Sequence, residues 1–117
     1  EKIDKAVKTI GKDKSDLKIA CLGLSFKPDI DDLRESPALR IAGKISLMGF
    51  SELFLVEPNI SNIPNELKGE SISMISADEA IRAADIVVLL VDHTPFKSMD
   101  LAVLSGKQII DTRGIWS

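Results

Sequence analysis

The sequence has 117 residues, 44% of them hydrophobic and 28% charged, with a formal net charge of −3. This suits one soluble domain with a single core and argues against general nucleic-acid binding, which needs a basic face, while leaving room for a local basic site. Its one cysteine, Cys21, excludes an internal disulfide and a cysteine cluster for zinc. The single cysteine points to a reducing cytoplasm, and with no apolar run of the ~18 residues a membrane span needs and no signal peptide in view, no membrane partner is expected.

In chain order, Ile3, Ala6, Val7 and Ile10 recur at helical spacing, and Gly11 stops the helix they predict. The opening "EKIDKAV" has no initiator methionine and reads as the start of a piece of something longer. The polar "KDKSD" reads as a linker, which separates a helix-and-linker segment over 1–16 from a domain over 17–117. "LKIACLG" is the first strand. Ser36 then caps a helix with Pro37 at its first position, where the missing N–H costs nothing. Leu39, Ala42, Ile45 and Met48 give this helix an apolar stripe, and Gly49 closes it.

"ELFLVEP" is the second strand, and "ISMIS" a short third one after a turn-rich stretch from Asn59 to Ser71. Ser76 and Glu79 have capping-box spacing and open another helix. "DIVVLLVD" is apolar without interruption, as in the middle of a parallel sheet covered on both faces. Thr94 and Pro95 cap one more short helix, and "KQIIDT" is the last strand. Strand and helix alternate throughout. The fold predicted is α/β: a three-layer, doubly wound parallel sheet, Rossmann-like, with about five strands.

In such a fold the carboxyl ends of the strands share one rim. That rim would carry Phe26 to Glu35, Glu57, Asp92 with His93, and Asp111 to Arg113. An aromatic, several cations and a helix N-terminus suit an anionic ligand with a flat ring, such as a nucleotide. The same residues also have plainer readings. Lys27 and Arg34 would neutralise Asp29, Asp31 and Asp32 on a solvated loop. Phe26 would fold back as a satellite core residue, Asp92 and Asp111 would each cap the next helix or turn, and His93 would be a loop residue. Trp116 is expected to cover apolar surface, and Cys21, mid-strand with no neighbouring cation, to be inert.

"GLSFKPDIDDLRESPAL", "VEPN", "VVLLVDHTPFK" and "IIDTRGIW" resemble, in order and over about residues 17 to 117, the C-terminal domain of the UDP-glucose/GDP-mannose dehydrogenases. Within that family the likeness is greatest to the enzymes that oxidise UDP-N-acetyl-D-mannosamine. The resemblance implies an NAD-dependent oxidoreductase that converts the C6 alcohol of a UDP-sugar to a carboxylate in two steps. It implies that Phe26 and Lys27 touch the nucleotide sugar and that Arg113 lies near the sugar. Arg34 would reach NAD held mainly by an N-terminal domain. The partners implied are the UDP-sugar and the remaining domains of the same enzyme, in a homodimer when full length. No catalytic residue and no metal ligand is expected here. The family's catalytic cysteine belongs to another domain, so this piece alone would be inactive.

Two other readings compete. A phosphoacceptor receiver domain shares the alternating α/β order and wants an acidic pair, but Asp31–Asp32 comes well past the first strand. A stand-alone mononucleotide-binding module would use the same rim.

Overall fold

The apolar runs form strands β1 (Lys18–Leu22), β2 (Glu52–Val56), β3 (Ile72–Met74), β4 (Ile86–Leu89) and β5 (Gln108–Asp111). They build one five-stranded sheet in the order β3-β2-β1-β4-β5. Every pair is parallel. This computed structural model describes residues 2–25, 36–58, 67 and 69–116. Helices are α1 (Lys2–Ile10), α2 (Pro37–Ser46), α3 (Ala77–Ala83) and α4 (Thr94–Lys97). Single 3-10 turns add Lys14–Asp16 and Leu101–Leu104.

Side chains alternate across a strand, so β1, β2 and β4 supply two cores at once. Ile19, Cys21, Leu53, Leu55, Ile86 and Val88 face α1 and α2. Ala20, Leu22, Phe54, Val56, Val87 and Leu89 face α3 and α4, with Leu104 and Trp116. This is the predicted three-layer arrangement. Connections before and after the sheet centre lie on opposite faces, so the winding reverses between β1 and β4. Their carboxyl ends form the crevice where such folds bind ligands.

Local signals behave as read, with small shifts. Ser36 Oγ accepts the Leu39 amide at 3.2 Å, and Pro37 opens α2. α2 stops at Ser46, short of Gly49, yet Met48 still packs on the core. Ser76 Oγ accepts the Glu79 amide at 3.3 Å and donates to the Glu79 carboxylate at 3.0 Å. Lys107 Nζ closes the far end of α3 by donating to the carbonyls of Arg82 and Ala84 at 3.0 and 2.6 Å. Trp116 is buried and donates its indole N–H to the Phe96 carbonyl at 3.0 Å. Burial pushes the Cys21 thiol up to about 12, so at neutral pH it stays protonated and inert.

Candidate functional site

The carboxyl edge is built from three chain crossings. Gly23 ends β1 with a φ of 95°, in the left-handed region. A β-carbon there would lie 2.6 Å from Val91 Cβ and 2.9 Å from Val91 N. Only glycine lets the exits of β1 and β4 pass this closely. The chain then runs through Leu24 and Ser25, both buried. It re-enters the described residues at Ser36, whose hydroxyl donates to the Leu24 carbonyl at 2.7 Å. Phe26, Lys27 and Arg34 lie between these points, outside the described residues.

The turn after β1 is organised by the residue that follows β2. Glu57 Oε1 accepts the amides of Leu24 at 2.7 Å and Ser25 at 3.1 Å. His93, from the exit of β4, places Nε2 2.9 Å from the same oxygen and 3.2 Å from Ser25 Oγ. The side chains of His93 and Glu57 are fully enclosed. Two obligatory amide donors already point at Oε1, so it acts as an acceptor and the ring nitrogen facing it carries the hydrogen. Among the described residues, every buried side-chain nitrogen and oxygen has a partner.

A serine, a histidine and a glutamate in contact suggest a nucleophilic relay, but the geometry denies one. A relay needs the nucleophile and the orienting acid on opposite ring nitrogens. Here both meet Nε2, and water is excluded. The cluster is structural: it ties the exits of β1, β2 and β4 together. Sequence reasoning put Glu57 on the rim and read His93 as a loop residue. His93 lies outside the helix as read, but it, and not Thr94 or Pro95, holds the N-cap position of α4, without a side-chain cap bond, and its ring turns inward to Glu57. The signal that was available was a lone histidine and a lone glutamate, each directly after an apolar strand.

Arg113 is exposed at the same edge, on the turn after β5. Asp111 shapes that turn: Oδ1 accepts the amides of Arg113 and Gly114 at 2.9 and 2.7 Å, and Oδ2 that of Trp116 at 2.9 Å. Partial burial pushes the Asp111 carboxyl up, but the amides of Trp116, Arg113, Gly114 and Ile115 outweigh it and hold it below its ordinary value. Arg113 Nε donates to the Leu90 carbonyl at 3.1 Å, which ties the guanidinium from the exit of β5 to the exit of β4. Asp92, half-buried, lies 3.9 Å from the exposed Lys97 and does not cap α4.

A depression of about 350 Å³ opens beyond β2 between Pro58, Ser76 and Pro95, with Glu57 in its wall. A larger one, about 500 Å³, lies between α1 and α2 over Val88, Leu90 and Ile110 and is mostly apolar.

Residues 20–117 match the model of the UDP-glucose/GDP-mannose dehydrogenase family, UDP binding domain. The chain belongs to that family. This membership displaces the receiver-domain reading. The UDP-N-acetyl-D-mannosamine dehydrogenase of Salmonella typhi is 46% identical over 102 residues, covering 87% of this chain and 24% of that protein. The NDP-N-acetyl-D-galactosaminuronic acid dehydrogenase of Ralstonia solanacearum is 48% identical over 99 residues, covering 85% and 23%. The UDP-D-ManNAc dehydrogenase structure from Pyrococcus horikoshii superposes with a TM-score of 0.77 at 27% identity, covering 97% of this chain and 25% of that one. The chain therefore spans about a quarter of the length of these relatives.

The described residues do not fit an NAD pyrophosphate at this UDP-binding domain's crevice. A dinucleotide fold offers it the amides that come after the first strand. Here those of Leu24 and Ser25 are already committed to Glu57.

Proposed function

We propose that residues 17–117 are the C-terminal, substrate-binding domain of an NAD-dependent nucleotide-sugar 6-dehydrogenase, with residues 1–16 the end of the helix and linker leading into it. The family match over residues 20–117 carries this reading. Arg113, exposed at the carboxyl edge and tied to the exit of β4, supports it. Lys27 would add a point charge to the diphosphate, Phe26 would pack on the nucleotide sugar, and Arg113 would face the sugar side. Arg34 would reach across to NAD on another domain. The substrate proposed is UDP-N-acetylmannosamine, oxidised to the uronate; the two relatives above both carry an N-acetylated amino sugar in their names.

Oxidation through a covalent intermediate needs a thiolate nucleophile. Cys21 is buried and held protonated, so that nucleophile must come from elsewhere in the full enzyme. The whole enzyme is proposed to work as a cytoplasmic homodimer. Titration calorimetry with UDP tests the reading. The chain should bind UDP, and Lys27→Ala and Arg113→Ala should each weaken binding about tenfold or more, the loss of one charge-assisted contact. It should reduce no NAD when given the UDP-sugar. Absence of UDP binding in the intact enzyme, or NAD reduction by this chain alone, would overturn it.

A further inference from the structure

The turn after β1 has the form of an anion site and yet is already filled. Successive amides after a left-handed glycine make a concavity that attracts negative charge. In dinucleotide folds that charge is a pyrophosphate, while an acidic residue at the end of the second strand takes the ribose hydroxyls. This chain has both halves of that apparatus and has turned them on each other. Gly23 N donates to the Val56 carbonyl at 2.8 Å, and Leu24 N and Ser25 N donate to Glu57 Oε1, so three consecutive amides are committed. Glu57 comes directly after β2, the position of a ribose-binding acid, but it is enclosed and points inward. His93 Nε2 holds it there at 2.9 Å.

We infer that Glu57 is a specificity-determining residue: it fills the anion seat at the β1–β4 switch point from within, and so excludes a dinucleotide pyrophosphate from this domain. A nucleotide ligand is thereby left to exposed side chains such as Arg113, which lie outside the seat. That consequence rests on the proposed function; the filling of the seat does not.

The test is amide NMR of the labelled chain, titrated separately with inorganic pyrophosphate, NAD and UDP. In the wild type, the Leu24 and Ser25 signals should stay still with pyrophosphate and NAD. Glu57→Ala should open the seat, so that these two signals move with pyrophosphate at an affinity at least tenfold above wild type. Glu57→Gln should stay unresponsive, because its carboxamide oxygen still fills the position. Movement of either signal with pyrophosphate or NAD in the wild type or in Glu57→Gln overturns the inference, as does a folded Glu57→Ala that gains nothing. Should Glu57→Ala fail to fold, the other two arms decide. The UDP arm reports on the proposed function alone: its failure leaves the pyrophosphate result standing.

Discussion

Two turns at the carboxyl edge use one device in two settings. After β1, the carboxylate of Glu57 gathers the Leu24 and Ser25 amides with no access to water. After β5, the carboxylate of Asp111 gathers those of Arg113, Gly114 and Trp116 at a partly exposed position. Water competes for each of the Asp111 contacts and screens the charge. Glu57 works in a low dielectric, where every hydrogen bond is stronger and every missing one costs more. The number of bonds is therefore a poor guide to their worth; the surroundings decide. The buried turn is a fixed foundation, and the exposed one carries a cation, Arg113, at the carboxyl edge.

Glu57→Ala should give the largest effect. It removes the carboxylate that two buried amides and the His93 ring nitrogen share, and breaking a buried pair of this kind costs about 3–5 kcal/mol. Urea denaturation checks it; a loss under about 1 kcal/mol would mean that water reaches the cluster and would erase the contrast between the turns. Gly23→Ala comes next. A left-handed alanine costs about 1–2 kcal/mol, and displacing Val91 adds about as much again. A thermal melt little different from wild type would show that the exits of β1 and β4 can spread apart.

Asp111→Ala should cost less, about 1 kcal/mol, because solvent replaces part of what is lost. Its pH dependence has a definite sign. The folded carboxyl titrates below its ordinary value, so its contribution is complete above the ordinary aspartate range and is lost as pH falls through the lower folded value. Stability measured on acidification should thus fall less steeply in Asp111→Asn than in the wild type. An equally steep fall would assign the acid loss to other groups. Arg113→Ala should change stability by no more than about 0.5 kcal/mol, as expected of an exposed side chain, while weakening UDP binding. Loss of stability without loss of affinity would make Arg113 a structural residue and move the ligand elsewhere.

Much of the scaffold was legible because its signals are local. Ser36 with Pro37, and Ser76 with Glu79, mark helix starts through contacts only a few residues long. The unbroken apolar run of β4 announced a strand covered on both sides, and Asp111 capped its turn as one of its two readings allowed. α4 lies where the sequence places it, but the role of His93 before it was not legible, because a partner 36 residues distant draws the ring away. The candidate site was legible only in part. Arg113 lies at the expected edge, while Phe26, Lys27 and Arg34 lie outside the described residues.

Periodicity, caps and glycine positions determined the elements and their alternation, because each depends on neighbours within a turn or two of chain. Only the tertiary structure decided the strand order and the inward turn of Glu57. Both depend on long-range packing: three strand exits had to meet before a buried carboxylate could find enough donors to stay there.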